Sequence, residues 1–312
     1  MSSTKLIIDT DPGQDDAVAI LLALASPEIE VLGLTAVAGN VPLALTARNC
    51  LKVLELARRT DVPVHAGADR PLRRPLVTAE QVHGNSGLDG PDLPEPATPL
   101  AGGHAVDFIL DTLRREPAGA VTLAALGPMT NLALALDADP AAFGRAGRVV
   151  AMGGGWSEGG NTTPAAEFNI HVDPEAAQAV LKSGVPVVLH PLDVTHRCLT
   201  RSDRVAAFHA LGNRAGAAVA EMLAFFERFD EAKHGADGSP LHDPNVVAWM
   251  LAPELYRGRD VNVEVETVSE LTIGQTVVDW WRVTGRPANA HFIREVDDDG
   301  FFALLLERIG RL

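Results

Sequence analysis

The chain has 312 residues, of which 46% are hydrophobic, and its 26 Lys and Arg against 41 Asp and Glu give a formal net charge of −15. This length and composition are typical of one large or two small globular domains with a buried core. The strong negative charge argues against a nucleic-acid backbone or an anionic membrane as partner, but not against a small neutral or cationic ligand.

The cysteines and the N-terminus bear on the compartment. Cys50 and Cys198 are too few for a disulfide framework and lack metal-binding spacing, so free core thiols in a reducing environment are expected. The N-terminal residues show no basic segment followed by an apolar one, and the longest apolar stretch, residues 17–25, is too short to cross a bilayer. We therefore expect a cytoplasmic protein.

Short apolar runs alternate with helical patterns along the first part of the chain. Apolar residues recur at helical spacing from Leu43 to Leu54 and from Val106 to Leu113. Buried strands are predicted at residues 5–8, 31–37, 62–66, 120–125, 148–152 and 185–189. This alternation predicts an α/β fold with a mostly parallel, Rossmann-like sheet and helices on both faces.

The C-terminal part has a different pattern. Valines alternate with polar residues over 261–265, which predicts a strand with one exposed face, and residues 288–296 (ANAHFIREV) form another strand candidate. Residues 297–309 predict a closing helix. Because the sequence contains no repeat and no linker, we expect a single domain, residues 1–312, with an antiparallel C-terminal extension.

Two loops are too long to serve only as connections. Residues 67–100 are rich in Pro and Gly, and residues 229–243 contain Gly235 and Gly238. Long loops at the edge of an α/β sheet are candidate lids. We therefore predict lids near these two segments.

Four carboxylates fall within residues 9–16, DTDPGQDD, between the first strand and the first helix. Asp11, Asp15 and Asp16 would crowd the carboxyl end of that strand, where each disfavours the ionisation of the others. Helix capping and the helix dipole account for two of the four. A bound hard cation removes the conflict, and an all-oxygen site suits Ca²⁺ or Mg²⁺, between which the spacing does not decide.

Further polar segments follow later strands or begin later helices. Each alone is explained by a turn, a strand break, a loop closure or a helix cap. The segments are VAGN (37–40), LGPMTN (126–131), GNTTPAAEFN (160–169) and the pair His242-Asp243. Together they bring amide, carboxylate and imidazole groups to one rim with few Lys or Arg, which suits a sugar rather than a phosphate. Consistently, no GxGxxG follows the first strand and no GxxxxGK[ST] occurs.

In combination and in order, these motifs resemble those of the inosine–uridine-preferring nucleoside hydrolases over about residues 4–310. The matching segments are DTDPGQDDAVAI (9–20), VAGN (37–40), HGNSGLDGP (83–91), LGPMTN (126–131), MGG (152–154), NTTPAAEFNIHVDPEAA (161–177) and LHDP (241–244). The resemblance implies a homodimeric or homotetrameric Ca²⁺ enzyme that hydrolyses the N-glycosidic bond of ribonucleosides to ribose and free base.

The resemblance also implies roles for single residues. The ligands of calcium would be Asp11, Asp16, Asp243 and the main-chain carbonyl of Leu126. Asp11 would also act as general base on the metal-bound water. The residues implied to contact ribose are Asp15, Asn40, Met152, Asn161, Glu167 and Asn169. His83 and His242 would face the base, and His242, which titrates in the right range, is the expected acid for the leaving group. Asp9 receives no catalytic role and is expected to brace the loop.

One position departs from the family pattern. Where family members often carry a lid tyrosine, this chain has His234, and its only tyrosine, Tyr256, lies beyond the site. His234 is expected either to replace that aromatic hydrogen-bonding group or to be an exposed loop residue. Preference for purine, pyrimidine or modified nucleosides is therefore left open.

Two alternative functions are compatible with parts of the sequence. A haloacid-dehalogenase-like phosphohydrolase would use Asp9 and Asp11 with Mg²⁺, but it predicts a basic residue for the phosphate and leaves the EFN and HD segments without a role. A non-catalytic calcium-dependent nucleoside- or sugar-binding protein explains the pocket, but not the base and acid placed beside the metal.

Overall fold

The computed structural model describes residues 3–234 and 238–312, with residues 229–234 described by their backbone only. A nine-stranded sheet runs through these described residues in the order β3-β2-β1-β4-β5-β6-β9-β7-β8. Its strands are β1 (Thr4–Thr10), β2 (Ile29–Ala36), β3 (Val64–Ala66), β4 (Val121–Ala125), β5 (Arg148–Met152), β6 (Val187–His190), β7 (Tyr256–Val265), β8 (Thr276–Asp279) and β9 (Ala290–Val296).

The pairing of the strands confirms the predicted fold class. Strands β1 to β6 pair in parallel, and β9 adds to β6 in the same direction. Strand β7 runs antiparallel to both β9 and β8, which forms the C-terminal extension. The sequence analysis missed β8, a four-residue edge strand whose Val277 is half exposed, because its apolar pattern is too short to stand out.

Helices cover both faces of the sheet. They are α1 (Gln14–Leu24), α2 (Leu43–Leu56), α3 (Glu80–His83), α4 (Ala105–Arg115), α5 (Thr130–Ala138), α6 (Pro140–Phe143), α7 (Phe168–Val172), α8 (Pro174–Leu181), α9 (Leu192–Thr195), α10 (Ser202–Ala210), α11 (Arg214–His234), α12 (Pro244–Leu251) and α13 (Asp298–Ile309), with a 3₁₀ turn at Pro253–Leu255. The predicted helices at α2, α4 and α13 are confirmed. None of the helices in the described chain is both long and apolar enough to cross a membrane.

Alternate residues of the central strands pack into two apolar layers, one on each face of the sheet. Leu6 and Ile8 of β1 pack in the layer of α1, α2, α12 and α13, whereas Ile7 packs in the opposite layer with α4, α5 and α8. Because both faces are covered, the parallel strands read as nearly continuous apolar runs instead of alternating ones. This burial holds the carboxyl ends of β1, β2, β4 and β5 at a common edge.

Both predicted lid segments contain helix. Residues 67–100 include α3, and α11 continues through residues 229–234, so the first part of the second segment is helix and not loop. Residues 235–237 lie outside the described part of the chain. The lid function of the two segments stays a prediction.

A buried cluster of polar side chains, those of Asp9, Thr35 and Asn131, stabilises the carboxyl ends of β1 and β2 beside the acidic motif. Asp9 Oδ1 accepts hydrogen bonds from Thr35 Oγ1 at 2.6 Å and from Asn131 Nδ2 at 2.8 Å. Asn131 also donates to the carbonyl of Ala36 and accepts from the main-chain N–H of Ala68 at 2.8 Å. Asp9 therefore braces the ends of β1 and β2, as expected, and burial raises its pKa to about 7.

We expect Asn131→Ala to lower the free energy of unfolding by about 3 kcal/mol, because Asp9 and two main-chain groups lose a buried partner. Urea unfolding monitored by circular dichroism measures this. The matched control is Asn85→Ala, at an exposed position, which should change stability by less than about 0.5 kcal/mol. Equal stability of both variants would contradict the bracing role.

Candidate active site

A cavity of about 670 Å³ opens at the carboxyl ends of the parallel strands. Parallel α/β sheets bind ligands at this edge, and small-molecule sites have similar volumes of roughly 300–1,000 Å³. The cavity is lined by these residues from the sequence prediction: Asp15, Asn40, His83, Leu126, Met152, Asn161, Glu167, Asn169, His242 and Asp243. Asp11 and Asp16 are fully buried and hydrogen-bond to Asn40, which reaches the lining.

The charge of the cavity wall restricts the ligand. No lysine or arginine occurs among the described residues that line it, whereas carboxylates of Asp15, Glu158, Glu167 and Asp243 do. Such a wall repels phosphate and attracts a cation or a group that becomes positive.

The acidic motif lies where β1 turns into α1. Asp11 and Asp16 are 0% exposed, and Asp15 and Asp243 are 6% and 3% exposed. Asp243 joins the motif from the start of α12, and one oxygen each of Asp15, Asp16 and Asp243 lies within 4.8 Å of the others. Asp11 lies outside this group of three, but near enough for its charge to raise the pKa of Asp243, so four buried carboxylates from two distant segments lie close together.

Donors hold three of the carboxylate oxygens of Asp11 and Asp16. Thr10 Oγ1 bonds to one oxygen of Asp16, and the Gly13 N–H donates to the other at 2.9 Å. The Asn40 N–H donates to Asp11 Oδ2 at 2.7 Å. Asp11 Oδ1 is buried without a hydrogen-bond partner among the described residues, so it is free to receive a ligand.

Two glycines make room for Asp11. A Cβ at Gly39 would lie 2.0 Å from Asp11 Oδ2, and a Cβ at Gly127 would lie 2.2 Å from Asp11 Oδ1. Any side chain at either position would therefore displace the carboxylate.

The pKa values of the four carboxyls reflect their crowding. Burial is the main cause that raises the pKa of Asp11 and Asp243 well above the usual range, and the neighbouring carboxylates raise both further. Burial followed by the charge of Asp16 raises the pKa of Asp15 to about 7. The unpartnered Oδ1 and this clustered negative charge fit a hard divalent cation held by oxygen ligands.

The carbonyl of Leu126, which directly follows β4, reaches the same region. It accepts a hydrogen bond from Asn169 Nδ2 at 2.6 Å, and Asn169 also contacts Met152 at the end of β5. A carbonyl oxygen has a second lone pair available for a ligand.

Glu167 is a further acidic residue of the cavity wall. As the cap of α7, it accepts main-chain hydrogen bonds from Asn169 at 2.8 Å, Gly154 at 3.0 Å and Ile170 at 3.1 Å. Burial raises its pKa to about 7. Asn161 Oδ1 accepts a hydrogen bond from the Phe168 N–H at 2.9 Å, which places Asn161 at the start of α7, where Glu167 is the cap.

Three histidines of the described chain, His83, His196 and His242, line the cavity. His83 Nδ1 lies 2.7 Å from Gln14 Oε1, and His242 Nδ1 lies 2.7 Å from Thr195 Oγ1. Burial lowers the pKa of His83 to about 4. Burial, with His196 and His83 nearby, lowers the pKa of His242 to about 3, so this ring is neutral near pH 7, unlike the freely titrating histidine assumed from the sequence.

Sequence reasoning missed several residues of the site. Gln14 stands inside the acidic motif but has no charge, Thr195 ends the short helix α9, and Phe226 of α11 lies 5.6 Å from the His83 ring. No motif spacing marks these residues, since each acts through a contact with a distant one. The predicted His234 is the last residue of α11, and its side chain lies outside the described part of the structure.

Comparison with known sequences identifies similar proteins over nearly the whole chain. The family model described as inosine-uridine preferring nucleoside hydrolase matches residues 6–303. An uncharacterized protein of Schizosaccharomyces pombe is 56% identical, with 99% of each chain covered. The pyrimidine-specific ribonucleoside hydrolase RihA of Salmonella typhimurium is 49% identical, with 97% of each chain covered.

Solved structures agree with the sequence matches. The plant nucleoside hydrolase PpNRh1 superposes with a TM-score of 0.91 at 32% identity, covering 98% of each chain. The purine-preferring ribonucleoside hydrolase from Gardnerella vaginalis gives a TM-score of 0.92 at 32% identity, again over 98% of each chain. These matches support a nucleoside hydrolase over the phosphohydrolase and non-catalytic alternatives. The chain belongs to the inosine-uridine preferring nucleoside hydrolase family, enzymes that cleave the N-glycosidic bond of ribonucleosides.

Proposed function

We propose that this chain is a calcium-dependent hydrolase of pyrimidine ribonucleosides that releases ribose and the free base. The observation that carries the proposal is the buried cluster of Asp11, Asp15, Asp16 and Asp243 beside a cavity without cationic lining in its described part. Such a cluster binds a hard cation, and such a wall stabilises a sugar that becomes positively charged during bond cleavage.

The ligand set favours calcium over magnesium. Asp11, Asp16, Asp243 and the Leu126 carbonyl offer several oxygen atoms from three separate segments, with the hydroxyls of ribose as further ligands. Calcium accepts many oxygen ligands in irregular geometry, whereas magnesium demands a regular octahedron and keeps several waters.

Asp11 is the proposed general base. A cation held by Asp11, Asp16 and Asp243 would lower the pKa of a coordinated water. The Asn40 N–H fixes Oδ2 of Asp11, so its unpartnered Oδ1 is the atom that accepts the proton of the attacking water. Asp15 and Asn40 line the cavity next to it and are proposed to bind the 2′- and 3′-hydroxyls.

The remaining polar residues act on the ribose ring. Cleavage of a glycosidic bond passes through an oxocarbenium-like transition state. Glu167 is held by three main-chain N–H groups before substrate arrives, so its negative charge needs no reorganisation. We assign Glu167, Asn161 and Asn169 to the 5′ side of the sugar and Met152 to its underside.

His242 is proposed to assist the leaving base. When the Thr195 hydroxyl donates to Nδ1, the neutral ring carries its proton on Nε2. His242 then donates a hydrogen bond to the base as negative charge develops there, without first becoming an imidazolium.

The preference for pyrimidines rests on similarity. The pyrimidine-specific relative is 49% identical, whereas the purine-preferring structure is 32% identical. The homodimer or homotetramer and the cytoplasmic location stay predictions.

Release of reducing sugar from uridine, cytidine, inosine and adenosine tests the proposed function. With Ca²⁺ we expect kcat/KM for the two pyrimidine nucleosides to exceed that for the two purine nucleosides by at least about tenfold. A calcium chelator should abolish release, and added Ca²⁺ should restore it. No release from any of the four would contradict hydrolysis, and equal values would contradict the base preference.

Asp11→Asn should lower kcat by about 10³-fold, because the amide accepts no proton from water. Titration calorimetry should also show weaker Ca²⁺ binding. Asp137→Asn removes an exposed carboxylate on α5 and serves as the control with unchanged activity. Turnover of Asp11→Asn near the wild-type rate would rule out its role as base.

His242→Ala should lower kcat for uridine by about 10²-fold, since the uracil anion then leaves without a donor. For 4-nitrophenyl riboside, whose leaving group needs no proton, the loss should be much smaller. His209→Ala, at an exposed position on α10, is the matched control. If both substrates lost activity equally, His242 would not be the donor.

A further inference from the structure

The Gln14 side chain makes three hydrogen bonds that fix the orientation of its amide. Nε2 donates to the carbonyl of His83 at 3.0 Å and to the carbonyl of Asp89 at 2.9 Å. These two bonds use both N–H groups of the amide. The carbonyl oxygen Oε1 is therefore the atom that faces His83 Nδ1, at 2.7 Å.

This orientation decides where His83 carries its proton. Oε1 only accepts hydrogen bonds, so Nδ1 must be the donor. The ring is buried, and burial lowers its pKa to about 4, so it is neutral near pH 7 and holds one proton. Nε2 then has a free lone pair.

The lone pair of Nε2 is available to a ligand. His83 lines the cavity, and its Nε2 has no hydrogen-bond partner among the residues that the structure describes. The edge that carries Nδ1 and Cε1 lies against Gly13, where a Cβ would approach these atoms to 2.4 and 2.6 Å. Packing on Gly13 thus places the ring, and Gln14 selects its tautomer.

We propose that Gln14 is a positioning residue that holds His83 in the Nδ1–H tautomer, so that Nε2 accepts a hydrogen bond from an N–H group of the leaving base. The inference rests on the proposed function and adds a residue, His83, that recognises the base through a hydrogen bond. Uracil offers its N3–H and cytosine its amino group, both away from the glycosidic bond.

Of the other two described histidines that line the cavity, His242 has no such constraint. His242 Nδ1 faces the hydroxyl of Thr195, which can both donate and accept. The Gln14 amide cannot change its role in this way, because both of its N–H groups donate to main-chain carbonyls. The neighbour of His242 therefore leaves the hydrogen-bonding polarity of that ring open, whereas Gln14 dictates that of His83. The third histidine, His196, is partly exposed and faces the carboxylate of Glu158 at 3.2 Å.

Nitrogen NMR of the calcium-loaded protein, labelled with ¹⁵N at histidine, tests the tautomer near neutral pH. His83→Phe identifies the His83 signals by their loss. We expect Nδ1 at the shift of a protonated nitrogen and Nε2 at that of an unprotonated one. In Gln14→Met, which offers no acceptor, a mixture of both tautomers is expected. A protonated Nε2 in the wild type, or identical signals in Gln14→Met, would overturn the proposal.

Kinetics with uridine and 3-methyluridine test the consequence for the base. The methyl group removes the N3–H, so the ratio of kcat/KM between the two substrates reports the proposed bond. We expect this ratio to fall by about tenfold in Gln14→Met, through loss of activity on uridine. An unchanged ratio in a folded Gln14→Met would overturn the proposal.

Gln178→Met is the matched control, because Gln178 of α8 also bonds a main-chain N–H and a side chain, those of Val265 and Glu264, but lies outside the cavity. Its ratio should equal that of the wild type. If Gln14→Met does not fold, the wild-type NMR signals decide the tautomer alone. If the wild type released no sugar, the proposed function would fail, whereas the NMR signals would still test the tautomer.

Discussion

Electrostatic repulsion among four buried carboxylates is the constraint that shapes the edge of the sheet where the parallel strands end. The chain gathers Asp11, Asp15, Asp16 and Asp243 where burial makes ionisation costly. It offsets part of that cost with donors from Thr10, the Gly13 N–H and Asn40. The rest of the sheet edge, from the Asp9 brace to the Leu126 carbonyl, holds these groups in place. The fold thus accepts a loss of stability at a position whose oxygen groups fit a hard cation.

The fold was largely predictable because its signals are local. Parallel strands buried on both faces are short apolar runs between amphipathic helices, and this pattern is visible without any tertiary information. Prediction failed where the pattern is too short or too polar. Strand β8 has four residues at a sheet edge, and α3 lies within a segment rich in Pro and Gly. The sequence predicts a loop at the end of α11 because this segment is rich in polar and charged residues.

The candidate site was predictable only in part. Residues in motifs, such as Asp15, Asn40 and Glu167, were found because unusual polar groups follow strands at one rim. Gln14 and Thr195 were missed because their partners are 69 and 47 positions away, and no spacing in the sequence records such a contact. The low pKa of His242 was missed for the same reason, since burial is a property of the fold.

The glycines at Gly39 and Gly127 have a consequence for how this family can change. Neither has a positive φ, so their backbone conformation is open to any residue. What requires glycine is the volume occupied by the Asp11 side chain, together with Pro128 in the case of Gly39. A mutation at either glycine is tolerable only together with a smaller residue at position 11, which removes the carboxylate. A side chain at Gly39 or Gly127 therefore depends on a change at position 11, although these positions are far apart in the sequence. A larger residue at either glycine is therefore expected only in homologues that lack Asp11, and it would indicate that the proposed chemistry has been lost there.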